Sequence, residues 1–449
     1  MLRSTNPATG AIIADHPAFT APQLEAKVAK AAATWAQWRS SPVETRTALL
    51  SAIADQFDAH AERLAAMATA EMGKTLVAAR AEVAKCAAAF RYYAQNGAAL
   101  LAPRQIEGTR ATVHYRPLGV ILAVMPWNFP YWQVVRFMAP TILAGNVGLL
   151  KHASLVQGCG QLLEEMAISA GAPDGLFQNL AIKSDAVAAL IADPRIAAVT
   201  LTGSEGAGRS VATAAGAALK KVVLELGGSD PFIVMPSADL DAAVAAAVTG
   251  RVQNNGQSCV CAKRMIVHAD IYDAFAARFT AAMQAVTLGD PTDPAYTMGP
   301  LSSIEQRDTL MAQLAEAKTA GATLVGGELV EGKGAYVTAG VITDLAPDSD
   351  LAREELFGPV AMLFRAADLD AAIAIANDIP FGLGSSVWTS DEAEQSRFIA
   401  DLEAGMIAIN QVLASTPEAP FGGIKTSGHG RELGEWGLRE FMNVKAVMG

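Results

Sequence analysis

Cys259 sits in the run Asn254-Asn255-Gly256-Gln257-Ser258-Cys259-Val260-Cys261-Ala262-Lys263-Arg264, just ahead of a strand-like Met265-Ile266-Val267. No apolar periodicity asks for a cysteine there. Gly256 lets the backbone approach a neighbour or ligand more closely than a residue with a Cβ does. A thiol on such a turn, in partly polar surroundings, is a candidate nucleophile. The plainer alternative is a small buried residue, which free cysteine usually is.

Other stretches offer partners for a thiol. Glu225 lies within the apolar run Val222-Val223-Leu224-Glu225-Leu226-Gly227-Gly228. A carboxylate there is costly unless paired or used. Burial raises its pKa, as a general base working near neutrality requires; the alternative is a hydrogen-bonded structural Glu. Asn128 is confined within Pro126-Trp127-Asn128-Phe129-Pro130. Its amide could donate to a developing oxyanion, worth about 2.7–4 kcal/mol where such a donor has been deleted; otherwise it is a turn asparagine. Lys151 directly follows the apolar Val147–Leu150, at the strand end where doubly wound sheets bind ligands; it could equally be a solvated strand-end charge. Thr202-Gly203-Ser204-Glu205-Gly206-Ala207-Gly208 joins a strand to a helix. A helix N-terminus offers free N–H groups to phosphate, and Ser204 could cap it. This is not the G-x-G-x-x-G fingerprint. In Glu354-Glu355-Leu356-Phe357-Gly358-Pro359, Glu355 could bind ribose hydroxyls and Phe357 could stack near a ring. Alone, that segment is a turn with a charge pair.

The elements that must hold these residues alternate. At 449 residues, two to three domains are expected. Residues Pro22–Phe57 read as two amphipathic helices, and His60–Met72 and Thr75 to about Asn96 as two more. Arg104–Pro117 reads as a β-hairpin with little core, suited to pairing with another element or subunit. From Gly119 to Val234, apolar strands Val120–Val124, Val147–Leu150, Gln178–Ile182, Ala197–Leu201 and Lys221–Leu226 alternate with helices Trp132–Ala144, Leu155–Ala170, Ser184–Ala192 and Ser204–Leu219. That pattern predicts a parallel, doubly wound α/β sheet. From about Gly228 to Gly423 the alternation resumes, so a second α/β domain carries Cys259. Phe441–Val447 reads as a short final strand.

Composition narrows the function classes. A net charge of −11 argues against nucleic acid or an anionic membrane as main partner. The N-terminus lacks a signal peptide's apolar core, and no run reaches the roughly 18 apolar residues of a membrane helix. Cys86, Cys159, Cys259 and Cys261 lack the spacing of a disulfide framework or zinc site. A cytoplasmic protein with no metal is expected.

In their order along nearly the whole chain, these segments resemble the aldehyde dehydrogenase superfamily. The most specific are Glu225-Leu226-Gly227-Gly228, Gly256-Gln257-Ser258-Cys259, Glu355-Leu356-Phe357-Gly358-Pro359 and Pro420-Phe421-Gly422-Gly423-Ile424-Lys425-Thr426-Ser427-Gly428. The resemblance implies a Rossmann-like NAD(P)-binding domain (1–103 and 118–227), a catalytic α/β domain (228–424) and an oligomerisation arm (104–117 and 425–449). A homodimer or homotetramer follows. It implies Cys259 as nucleophile, Glu225 as general base, and Asn128 with the Cys259 N–H as oxyanion hole. It places Lys151 on the adenosine ribose, Ser204 beside Gly203 on the pyrophosphate, Glu355 on the nicotinamide ribose, Phe357 by the nicotinamide and Trp127 along the cleft.

Within that superfamily the chain is most similar to succinate-semialdehyde dehydrogenases. Gln257-Ser258-Cys259-Val260-Cys261-Ala262 resembles their active-site run, and Arg136 matches their substrate-carboxylate arginine. A guanidinium suits a terminal carboxylate; without the resemblance, Arg136 reads as a helix-surface charge. Two departures stand out. Gln253 occupies a position where many members carry a second arginine, so another short aliphatic or amino aldehyde is the alternative substrate. Ser154 stands where NAD-specific members often carry a glutamate, so NAD and NADP are both expected, with Lys151 or His152 able to favour NADP. Ser415 and Thr416 could add a hydroxyl contact. A disulfide between Cys259 and Cys261 would need loop rearrangement.

Overall fold

Val120–Met125 is apolar throughout and forms a central strand of a six-stranded sheet in the computed structural model, which describes residues 1–449. It pairs in parallel with Val147–His152 on one side and Ile196–Thr202 on the other. The chain first winds outward through Val147–His152 to Phe177–Asn179. It then returns to add Ile196–Thr202 and Lys221–Glu225 on the opposite side. The winding direction therefore reverses between Val120–Met125 and Ile196–Thr202, and ligands bind such sheets beyond the strand ends at that crevice. Trp127 and Asn128 follow the first of these strands, and Gly203 and Ser204 follow the second.

Strands Pro231–Val234, Arg264–His268 and Val360–Ala366 lie side by side within a second, seven-stranded sheet. Its pairings are parallel except at Thr323–Gly326, which runs antiparallel to Gly340–Thr343. Alternate residues enter separate cores: Ile233, Ile266 and Met362 on one face, Phe232, Met265 and Leu363 on the other. Burial on both faces explains the nearly continuous apolar runs. A third sheet joins Arg104–Gln105, Thr112–Pro117 and the C-terminal Met442–Val447, with Met442 opposite Pro117 and Val447 opposite Thr112.

Several expectations need correction. Within 425–449, assigned above to the arm, Gly428–His429 instead pairs with Lys221–Glu225 and closes the first sheet's edge. The expected strand Gln178–Ile182 is Phe177–Asn179, because a turn with Ile182 N–H on the Leu180 carbonyl follows it. The strand at Lys221 stops at Glu225, where the Leu226 N–H turns to the Ser427 carbonyl. Helix Ile304–Thr319 was not foreseen, because only Leu310, Leu314 and Ala317 are buried and its apolar stripe is narrow. Strands Leu2–Thr5, Ile12–His16, Gly340–Thr343 and Met406–Ile409 were also missed, being four or five residues each.

The helix Trp132–Ala144, buried along its whole length, carries Gln133 and Arg136. Its first N–H groups have no intrahelical partner. Glu82, on helix Leu76–Leu100, supplies one: its Oε1 accepts from Tyr131 N (2.8 Å) and Trp132 N (2.9 Å). Glu82 also pairs with Lys74, both side chains being 1% exposed. Removing one partner of such a pair strands a buried charge, at a cost of about 3–5 kcal/mol. Glu82→Ala is therefore expected to lower the urea midpoint sharply, read by circular dichroism. Glu62→Ala, which removes only the exposed pair with Arg80, leaves the midpoint nearly unchanged.

Candidate active site

Asn254, Asn255 and Gly256 have φ of 54°, 58° and 75°. That left-handed region suits glycine and is tolerated by asparagine. The turn carries the chain from helix Leu240–Val252 toward strand Arg264–His268 and leaves Cys259 half-buried. The asparagine side chains support it. Asn254 Nδ2 donates to the carbonyls of Asn128 (2.8 Å) and Gln257 (2.9 Å). Asn255 Nδ2 donates to those of Gly73 (2.9 Å) and Pro300 (2.8 Å). Gly256 approaches Gly358 and Pro359 so closely that a Cβ would overlap their backbone. Two buried cations complete the support. Arg251 donates to the Gly256 (3.0 Å) and Leu356 (3.1 Å) carbonyls. Lys263 donates to the Ser258 and Cys259 carbonyls, both at 2.8 Å, and lies 3.0 Å from Glu355 Oε1.

Cys259 lines two cavities. One, of about 230 Å³, brings it together with Trp127, Asn128, Gly203, Ser204, Glu355 and Phe357. The other, of about 220 Å³, brings it together with Arg136, Gln253, Ser415, Lys85, Trp132 and Phe421. Lys151, Ser154, Glu225 and Thr416 line neither cavity.

The first cavity carries the kinds of group that a nicotinamide ring, a ribose and a phosphate would contact. Trp127 and Phe357 stand edge to face, ring centres 5.7 Å apart, and pack against each other on its wall. Glu355 points Oε1 at Lys263, 3.0 Å away, and its carboxylate keeps further lone pairs that can accept from hydroxyls. Ser204 caps helix Glu205–Ala217 by accepting from Ala207 N (3.4 Å), which leaves its O–H free to donate to phosphate. Gln306, which sequence reasoning missed, also lines this cavity and holds the Phe357 carbonyl at 2.9 Å. Lys151 is the last residue but one of Val147–His152 and is buried, which lowers its pKa. Ser154 is exposed just beyond. His152 does not serve as a cation: burial pushes it down to about 4, and Nε2 lies 2.9 Å from the Pro130 carbonyl.

The acid–base groups cluster behind the second cavity. Glu225 is buried with no hydrogen bond to either oxygen, and a Cβ on Gly422 would meet its Oε1 at 2.5 Å. Burial first, then the nearby Glu432, push Glu225 well above the usual carboxylate range; Arg136 opposes them. Arg136 is not the free cation expected. Its Nε lies 2.7 Å from Glu432 Oε2, and its guanidinium lies 4.2 Å from the Phe421 ring centre. Nothing local in the sequence links Glu432 to Arg136.

At Cys259, burial pushes the thiol up to about 12, opposed by the positive charges of Arg136 and Lys263. The Cys259 N–H donates to nothing within the chain. Asn128 Nδ2 donates to the Gln257 carbonyl at 3.2 Å, leaving a second N–H available. Gln253 Nε2 is buried without a partner. Cys261 is buried, reduced and 3.6 Å from the Gln253 carbonyl. The set can therefore present a thiol and two oxyanion donors around one small space, with the buried Glu225 carboxyl outside its lining.

The aldehyde dehydrogenase family profile matches residues 1–447. A Mycobacterium tuberculosis protein named succinate-semialdehyde dehydrogenase [NADP(+)] 1 is 54% identical over 452 residues, covering 99% of each chain. The structure of succinic semialdehyde dehydrogenase from Streptococcus pyogenes, in complex with NADP+, superposes with a TM-score of 0.97 at 37% identity, covering 100% of this chain and 99% of that one. The structure of Gox0499 gives 0.97 at 41% identity, with 99% of both covered. The chain belongs to the aldehyde dehydrogenase family.

Proposed function

We propose that the protein oxidises succinate semialdehyde, or a similarly short ω-carboxy aldehyde, to the carboxylate with NADP or NAD. The observation that carries this reading is the shared wall: Cys259 alone among the proposed catalytic groups faces both the cavity lined by Trp127, Ser204, Glu355 and Phe357 and the cavity with cationic side chains. Asn128 belongs to the first and Arg136 to the second. A space of about 220 Å³ admits a short chain, being below the about 300 Å³ where pockets for drug-sized ligands begin. The names of the relatives support the substrate and cofactor. Ser154 adds no negative charge beside Lys151, so nothing there repels a 2′-phosphate.

Cys259 attacks the aldehyde carbon as thiolate, forming a C–S bond and an alkoxide. The alkoxide accepts hydrogen bonds from Asn128 Nδ2 and the Cys259 N–H. When bound, the nicotinamide supplies the hydride acceptor. The acyl group then remains on sulfur as a thioester. Water adds to its carbonyl, the C–S bond breaks, and carboxylate leaves. Glu225 takes the water's proton; its raised pKa suits that task. Because it lines neither cavity, its side chain must turn toward Cys259. Lys151 holds the adenosine ribose and Glu355 the nicotinamide ribose. No helix is long and apolar enough to cross a membrane. A cytoplasmic enzyme, assembling as a homodimer or homotetramer through the Arg104–Pro117 and Met442–Val447 strands, completes the reading.

A panel of aldehydes with NADP and NAD, followed by reduced-cofactor absorbance, tests the proposal. Succinate semialdehyde is expected to give the highest kcat/KM, and preference for a neutral or amino aldehyde would favour the alternative. Cys259→Ala should abolish turnover, and Asn128→Ala should lower kcat by about 10²–10³. Glu225→Gln should retain a burst of reduced cofactor matching the active sites and then stall, because only deacylation is blocked. Equal loss of burst and steady rate would remove Glu225 from the base role. The pH dependence follows from the buried thiol. Its neutral form is favoured, so the thiolate is scarce at neutrality in the cofactor-free protein. Alkylation of Cys259 by iodoacetamide, followed by peptide mass, should rise about tenfold per pH unit from about pH 6 to about pH 9. A plateau near neutrality would contradict this.

A further inference from the structure

Helix Leu76–Leu100 presents Ala78, Ala81, Glu82 and Lys85 to the second cavity at helical spacing. The two alanines leave room. Glu82 is committed to Lys74 and to the start of helix Trp132–Ala144. Arg136 pairs through Nε with Glu432. Lys85 remains as the cation on this wall without a carboxylate partner. Its Nζ donates to Ser415 Oγ at 3.1 Å and lies 4.3 Å from the Trp132 ring centre.

Ser415 takes its orientation from that contact. Trp132 Nε1 donates to the same Oγ at 3.0 Å. A hydroxyl has two acceptor sites and one donor. With both acceptor sites filled, the Ser415 O–H must point elsewhere, as a donor. Lys85 likewise keeps two of its three N–H groups. An ammonium and a hydroxyl, both with donors to spare, make a receptor for an anion. Half-buried charge without a counter-ion is unfavourable, and a carboxylate in the cavity supplies the missing one. Burial and the charge of Arg136 push the Lys85 ammonium down to about 8, in keeping with a site short of negative charge.

Resting on the reading that the substrate is an ω-carboxy aldehyde, we propose that Lys85, with Ser415, holds its distal carboxylate while Cys259 engages the aldehyde. Lys85 thereby replaces the cation absent at Gln253. It comes from a helix in the first third of the chain.

The test uses the full-length enzyme with its cofactor, and compares succinate semialdehyde with butanal, which has the same chain but no carboxylate. In Lys85→Met, the ratio of KM for succinate semialdehyde to KM for butanal should rise about ten- to a hundredfold, the size of a hydrogen bond to a charged group. Lys85→Arg should restore most of that ratio. The inhibition constant of succinate against butanal oxidation should rise in parallel. Equal losses on both aldehydes in Lys85→Met, or a ratio that does not change, would overturn the assignment. A wild-type enzyme with no preference for succinate semialdehyde over butanal would overturn the reading of the substrate, and the assignment with it. A wild-type preference that survives in Lys85→Met overturns the assignment alone.

Discussion

The site depends on one buried ammonium. Lys263 is fully buried and satisfies itself on the Ser258 and Cys259 carbonyls and on Glu355. A buried lysine persists only where such partners surround it. The consequence is geometric. The turn carrying the thiol and the loop carrying Glu355 and Phe357 are held to the same charged atom. Arg251 makes a second tie of the same kind between Gly256 and Leu356. The thiol and the Glu355 carboxylate therefore keep their spacing although they lie about a hundred residues apart in sequence.

A second constraint is charge. Glu225 and Glu432 are buried near one guanidinium, Arg136. One cation beside two carboxyls favours ionising only one of them. Contact with Arg136 favours Glu432 as the ionised partner, which leaves Glu225 holding its proton more tightly. The arginine thus acts on the base as much as on anything in the cavity. Lys85 sits outside that arrangement, so the cation proposed to meet the substrate is not the one paired with Glu432.

Much of this was legible in the sequence because each residue stands beside a local oddity. Cys259 follows Gly256, Asn128 lies between prolines, Glu225 interrupts an apolar strand and Ser204 opens a helix. The parallel sheet was legible because strands buried on both faces read as continuous apolar runs. What stayed hidden lacks such marks. Glu82 and Lys85 lie on a helix that reads as ordinary amphipathic pattern, since the same spacing serves a core face or a cavity wall. The partner of Arg136 is near the other end of the chain. His152 looked like a usable charge beside Lys151, but only the fold shows it buried against carbonyls. Lys263 stood in view within the cysteine stretch, yet nothing local tells a buried lysine from a solvated one.

The seam between the two sheets explains why asparagine recurs at the site. Asn128 comes from the first sheet's crevice, and Asn254 and Asn255 from the turn leading into the second. Asn254 holds the Asn128 carbonyl, Asn128 holds the Gln257 carbonyl, and Asn255 holds those of Gly73 and Pro300. Each bond adds only about 1 kcal/mol net, but a buried carbonyl left without a donor costs about 1–3 kcal/mol. Such a seam contributes little to holding the halves together and much to refusing any other alignment. Apolar contact would tolerate sliding, because it is non-directional. The Asn128 amide and the Cys259 thiol belong to different sides of this seam. Their alignment is set by amide geometry rather than by the cores beneath, and that places Asn128 in the scaffold of the site as well as in its proposed chemistry.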